Sequence, residues 1–326
     1  MRDWEMGRAR PVVLLAALWF IGLLAVAPGA GAFIYWAGEN SIGRAANDGA
    51  GATPSFIKLP GQQPCGVAVD SQHVYWANVA AGSIGRANLD GSGANPSFIT
   101  AGVGLVCGVT LEGNHIWWAN LATSPTDTGS VGRANLDGSG GAVVYSTSTF
   151  VEGPAQGVGV GSNLVFWTNN DPDDPTIGRA GVDGTPPPNK SFLTLSDGFR
   201  PVSWPTVGEG RLYFASTLGL FSTNLEGGVP ASLIGTNASG GIALYGGQVY
   251  WANFTEGTMS RANLALGSPN FAFLTGLGNP SGIAVDGGSP APASQPPQAK
   301  KKKCKKKKKK RATAAKKKKC KKKRRK

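Results

Sequence analysis

Histidine is almost missing from this chain: there are two in 326 residues, His73 and His115. They form no HxH or HExxH spacing, so no zinc site is written into the sequence. There is no GxSxG elbow, no GxxxxGK[ST] phosphate loop, and no lone cysteine with a matching histidine. Those absences remove the commonest hydrolase and nucleotide-binding chemistries. Helix-length stretches are scarce too, because 48 Gly and 22 Pro punctuate the chain with turns. Apart from Val12–Ala27, long apolar runs are absent. Acidic residues are missing from the C-terminal end. Residues 300–326 hold 21 Lys/Arg and no Asp or Glu, which makes the net charge of +14 misleading. The other 299 residues carry 12 basic groups against 19 acidic ones, a net −7. An acidic body is joined to an intensely basic tail, and the two need separate explanations.

The one long apolar run has the form of an export signal. Arg2, Arg8 and Arg10 precede it, and Ala30-Gly31-Ala32 after it has the small-x-small pattern of a signal-peptidase site. Cleavage near Ala32–Phe33 is expected, with Pro28 and its small neighbours favouring it. The rival is an uncleaved anchor, since Val12–Ala32 is long enough to span a bilayer. Either way the body lies outside the cytoplasm, where disulfides are permitted.

What the sequence has in abundance is repetition. "SIGRANLDGSG" (83–93) recurs as "SVGRANLDGSG" (130–140), with looser copies at 41–51, 176–185 and 259–268. Aromatic pairs recur with it: "IYWAG", "VYWAN", "IWWAN", "VFWTN", "LYFAS" and "VYWAN", whose second aromatics are Trp36, Trp76, Trp118, Trp167, Phe214 and Trp251. Each unit resolves into four short extended pieces: a small apolar run such as "GVAVD" (66–70), the aromatic strand, the "IGRANL" strand closing on Asp-Gly, and a piece such as "PSFIK" (54–58). Asp-Gly suits a tight hairpin turn because both residues tolerate positive φ. Four strands per unit of about 40–45 residues is the signature of a propeller blade. The first aromatic strand has no apolar piece before it, and "GIAVDG" (282–287) is an orphan of that type. Its insertion into blade one would close the ring and leave no large sheet edge open.

"YWAN…SIGRANLDGS" resembles the YWTD, or low-density-lipoprotein-receptor class B, repeat, with Ala-Asn in place of Thr-Asp. The similarity runs from about Phe33 to Gly287. It implies an all-β, six-bladed propeller of the TolB-like superfamily, used mainly as an extracellular protein-binding platform. Blade five departs most, with "LYFAS", "LFSTNLEGG" and Ser222 where the other blades have Arg.

Arg44, Arg86, Arg133, Arg179 and Arg261 recur once per blade. They are expected to maintain their own blades, each pairing with a carboxylate or carbonyl beside its turn. Asp48, Asp90, Asp137 and Asp183 read as turn formers. The second aromatics read as blade-to-blade packing, and His73 and His115 as solvated hairpin residues. "DPDDP" offers Asp171, Asp173 and Asp174 as weak calcium ligands, against the reading of a solvated insertion. Some propellers are enzymes, among them gluconolactonase and strictosidine-synthase relatives, which resemble one another in carrying acidic or His groups into the central channel. Here the inner strands are small and apolar, with side groups too bland to convert a substrate. Asp70, Glu112 and Asp286, at aligned strand ends, are the remaining candidates for an axial metal or acid–base pair. No cofactor is expected.

Cys65 and Cys107 share one register in adjacent repeats, so either an inter-blade disulfide or two buried thiols is expected. Residues 288–299 are rich in Pro, Gly and Ser and read as an extended linker. "AKKKKCKKK" then occurs at 299–307 and again at 315–323, in a tail that cannot bury apolar surface and is expected to be disordered when free. Lys300, Lys301, Lys302, Lys303, Lys316, Lys317, Lys318 and Lys319 are expected to meet anionic cell-wall polymer or lipid head groups. The export signal argues against nucleic acid as their partner. Cys304 and Cys320 are placed to pair locally or to link two chains.

The domain order is therefore signal peptide 1–32, propeller 33–287, linker 288–299 and poly-Lys tail 300–326. The function expected is a non-enzymatic binding or scaffold module with a protein or glycan ligand on one propeller face. The alternative is a lactonase-like propeller hydrolase or lyase.

Overall fold

A computed structural model describes residues 32–287 except 101–104, 122–128, 146–154, 170–174, 195–203, 217, 235–237 and 266. The signal segment, the "DPDDP" aspartates, Cys304, Cys320 and the tail lysines lie outside the described residues.

The described residues form six four-stranded antiparallel sheets and contain no helix. Blade one is β24 (Ile283–Val285), β1 (Phe33–Ala37), β2 (Ser41–Ala46) and β3 (Thr53–Lys58), from inside outwards. Blade two is β4 (Pro64–Val69), β5 (His73–Asn78), β6 (Ser83–Asn88) and β7 (Asn95–Thr100). Blade three runs β8 (Leu105–Glu112), β9 (His115–Leu121), β10 (Ser130–Asn135) and β11 (Ala142–Tyr145). Blade four runs β12 (Ala155–Gly161), β13 (Leu164–Asn169), β14 (Thr176–Gly181) and β15 (Asn189–Thr194). Blade five is β16 (Thr206–Gly208), β17 (Arg211–Ser216), β18 (Gly219–Asn224) and β19 (Ala231–Ile234). Blade six is β20 (Ile242–Tyr245), β21 (Gln248–Asn253), β22 (Thr258–Asn263) and β23 (Pro269–Leu274). Blade five keeps four strands despite its divergent sequence. The last strand pairs with the first, Ile34 opposite Val285 and Trp36 opposite Ile283, so the ring closes as the orphan segment implied.

The repeated letters have local causes. In blades one to four the second-strand Trp lies across the Gly of the neighbouring "IGR" strand, and in blade six Trp251 lies across Ser260. Trp76 pairs with Gly85, and a Cβ on that Gly would come within 2.2 Å of the indole. Gly43, Gly132 and Gly178 stand in the same relation to Trp36, Trp118 and Trp167. Blade five exchanges the pair for Phe214 stacked on Phe221, with ring centroids 6.0 Å apart. The Asn that ends the aromatic strand is buried and crosses the sheet: Asn169 Nδ2 donates to Thr176 Oγ1 at 2.8 Å and to the Lys190 carbonyl at 3.0 Å. The turn aspartates act as expected, accepting from main-chain N–H groups two residues on, as Asp90 does from Ser92.

The core is a set of layers between blades. Trp76 of blade two packs with Tyr35 and Ala37 of blade one, Trp118 with Tyr75, Trp167 with Trp117, and Trp36 with Tyr250 and Ala252 of blade six. First and second aromatics thus serve opposite neighbours, because successive strand residues point to opposite faces of the sheet.

The recurring arginines do not find their hydrogen-bond partners beside their own turns, where the sequence placed them. Each stacks on an aromatic ring of its own blade and donates to a carbonyl of the next. Arg44 lies 3.8 Å from the Phe56 centroid and donates to the Leu89 carbonyl at 3.0 Å. Arg133 reaches Val182, Arg179 reaches Leu225 and Arg261 reaches Asn47 across the closure, while Arg86 lies at the limit of bonding to Leu136. The guanidinium is long enough to cross the gap between sheets, and a sequence does not say which sheet lies beyond it. Blade five has no such crossing to blade six: Ser222 accepts instead from Arg211 of its own blade at 3.0 Å.

Candidate functional site: the axial channel

Inner strands pair on one side only within their blades, so their other edges border the ring axis. A cavity of about 520 Å³ lies there, lined by parts of all six inner strands. At one level of this channel the blades contribute equivalent residues: Gly66, Gly108, Gly157, Gly241, Gly282 and, in blade five, Trp204. Three of the glycines make room for the indole, while Gly66 and Gly282 face the main chain of the neighbouring inner strand. A Cβ on Gly108 would come within 2.7 Å of Trp204 Cδ1, and one on Gly157 within 2.4 Å of the same atom. A Cβ on Gly241 would meet Trp204 Cε3 at 2.8 Å. The indole therefore reaches the inner strands of blades three, four and six and forms a floor to the channel.

The same level is tied by covalent and main-chain links. Cys65 and Cys107, each immediately before its glycine, form a disulfide with Cα atoms 5.0 Å apart, within the usual bridging range. Of the two readings left open for this pair, the bonded one holds. Gly282 donates to the Cys65 carbonyl at 2.8 Å, and Gly241 to the Ser281 carbonyl at 2.7 Å. Without side chains on these glycines, neighbouring main chains approach closely enough to bond.

At the opposite end the three aligned carboxylates part company. Asp70 accepts from the main-chain N–H groups of Gln72 and His73 at 2.7 Å and from Tyr75 Oη at 3.0 Å, all within blade two. Asp286 accepts from the Phe33 N–H of its own blade. Neither lines the cavity; Glu112 does. The expected convergence of Asp70, Glu112 and Asp286 is thus not seen: Asp70 caps its own hairpin and Asp286 ties the closing strand to the first strand. Among the described residues no group of three His, Cys, Asp or Glu side chains is placed to hold a metal. Burial raises the carboxyl pKa of both Glu112 and Asp286.

His73 and His115 are less solvated than their position implied. Each is the first residue of its aromatic strand and is half-buried. Burial, and then the nearby Arg86 or Arg133, lower their pKa values. His73 Nδ1 lies 3.8 Å from Asp70 Oδ1.

The sequence reading missed Trp204, Glu209 and Tyr245, all of which line the channel. Blade five's inner strand sits in "WPTVGEG", which lacks the "G-apolar-small-apolar" form of its equivalents. Alignment of that segment on Phe214 would have exposed Trp204 as the one non-glycine in its column.

Fold and channel together define a six-bladed β-propeller with its axis floored at one level by an indole. No family model matches the sequence, and no curated protein matches it either. Among solved structures, the chain is similar to one in a crystal structure of a nidogen/laminin complex, with 22% sequence identity and a TM-score of 0.65. The match covers 78% of this chain and 98% of that one. The propeller implied by the resemblance to YWTD repeats is the fold observed.

Proposed function

We propose that this chain is an exported, non-enzymatic binding or scaffold propeller, held at anionic cell-envelope material by its C-terminal tail. The observation that carries this reading is the segregation of charge. Residues 33–299 contain nine Lys/Arg and 17 Asp/Glu, whereas residues 300–326 contain 21 Lys/Arg and no acid. By itself the mature body is repelled from an anionic surface. Each tail lysine near such a surface contributes on the order of 1 kcal/mol of attraction, so partial engagement suffices for retention. The Cys65–Cys107 disulfide supports an oxidising compartment. Likeness to a chain crystallised as a nidogen/laminin complex supports a protein ligand on a propeller face. The competing lactonase-like reading would need the channel's Glu112 to act without the two aspartates once grouped with it.

The experiment is co-sedimentation of the intact protein and of a chain ending at Ala299 with cell-wall material or anionic vesicles over a salt series. Retention should follow the tail and weaken as the Debye length shrinks from about 10 Å at 0.1 M salt to about 3 Å at 1 M. Replacement of the tail lysines by arginine should preserve it, and replacement by glutamine should abolish it. Equal retention without the tail, or salt-insensitive retention, would move the anchor to the propeller.

A further inference from the structure

A second cavity, a cleft of about 600 Å³, lies along the seam where blade six meets blade one. Its blade-six wall is a row of three side chains set across three strands. Tyr245 of β20 stands opposite Gln248 of β21, and Gln248 opposite Asn263 of β22. At about 4.8 Å between neighbouring strands, the row is about 10 Å long. The other wall is blade one's turn, with Asn47 and Asp48. Arg261 holds the two walls together by donating to the Asn47 carbonyl at 3.1 Å. Ser268 also lines the cleft.

The row does not follow the repeat. Its equivalents are Asp70, His73 and Asn88 in blade two, and Glu112, His115 and Asn135 in blade three. There the Asn donates to a turn serine, Ser92 or Ser139, at 2.9 Å. Blade six has Gly267 in place of those serines, and Ala265 in place of Asp90 and Asp137. Only in blade six does the row combine a hydroxyl with two carboxamides. Tyr245, Gln248 and Asn47 are half-buried, and none of their side chains has a hydrogen-bond partner among the described residues. Half-buried polar groups left without partners are unfavourable unless a solvent or ligand atom supplies one.

The chemistry of the lining selects the ligand. Its two charged groups, Arg261 and Asp48, are of opposite sign and are both engaged. Arg261 lies 4.2 Å from the Phe273 centroid, and Asp48 accepts from the Ala50 N–H at 2.9 Å. Neither an anion nor a cation is favoured by that balance. A carboxamide both donates and accepts, as a hydroxyl does, so Gln248, Asn47 and the Tyr245 hydroxyl match a ligand built of hydroxyls. Tyr245 adds an apolar ring beside its polar end. We propose that the cleft between blades six and one binds a neutral saccharide, its hydroxyls held by Gln248, Asn47 and Tyr245. This rests on the reading of the propeller as a binding module and is independent of the tail.

The test is isothermal titration of the full-length protein with cellobiose, maltose, lactose and diacetylchitobiose, each to about 20 mM. At least one should bind saturably, with one site per chain and a Kd of about 1 mM or tighter. Gln248→Ala and Asn47→Ala should each weaken that sugar at least about tenfold, with unchanged far-ultraviolet spectra. Gln72→Ala removes an exposed amide from the blade-two hairpin and should leave binding unchanged. Since the sugars are neutral, affinity should be equal at about 0.1 M and about 1 M salt, whereas retention by the tail weakens over that range. Loss of the tether therefore leaves this result untouched. A propeller that binds a protein ligand but none of these sugars would overturn the saccharide site and keep the binding module. Binding that persists in both cleft variants, or that falls with salt, would also overturn it.

Discussion

A chain ending after Gly278 loses β24, and the consequence can be worked from its contacts. Ile283, Ala284 and Val285 are at most 9% exposed. Burial of the Ile and Val contributes about 1.5–3 kcal/mol each. The closing segment also makes specific bonds: Gly282 to Ala37 and Cys65, Ser281 to Ala37 and Gly241, and Asp286 to Phe33. At about 1 kcal/mol net for each such bond, these contribute a further 5–6 kcal/mol. With a discount for residual burial in the unfolded chain, the loss comes to about 8 kcal/mol. Domains of this kind have about 5–15 kcal/mol in total. The truncated chain should therefore be unfolded or melt at least about 15 °C lower, as read by far-ultraviolet circular dichroism and gel filtration. A chain ending after Gly287 keeps the strand without the tail, and it should melt like the full-length protein. If the Gly278 truncation melts within a few degrees of the Gly287 one, ring closure by β24 does not hold the fold together.

Arg44→Ala removes a stacked guanidinium and its bond to the next blade, and should cost about 2–3 kcal/mol in denaturant midpoint stability. Arg44→Lys should recover less than half of that, since lysine keeps the charge without the planar stack; full recovery would show that charge alone matters. Substitution of both Cys65 and Cys107 by serine opens a 42-residue link and should cost up to about 4 kcal/mol in the chain-entropy description. Guanidinium unfolding with and without reductant checks this: reductant should destabilise the native protein and leave the double variant unchanged.

Much of the fold was legible in the letters. Period-2 aromatic strands, Asp-Gly turns and six spaced copies specify four-stranded units, because alternation and turn chemistry act over a few residues. The orphan "GIAVDG" and the missing first strand made ring closure readable from the order of the pieces alone. The acidic body and basic tail are likewise facts of composition. Tertiary structure decided whatever depends on which sheet lies beside which. The arginines lie on rings of their own blades, yet their bonds run to the following blade, a pairing 45–50 residues away, or 214 across the closure, that no local pattern encodes. The channel is a column of equivalent positions from all six blades; alignment can set Trp204 in that column, but only the assembled ring lays its indole against the glycines of blades three, four and six. Asp70, Glu112 and Asp286 share a register, but a carboxylate near its own N–H groups and tyrosine bonds there first. Only Glu112, lacking such partners, is left to the axis.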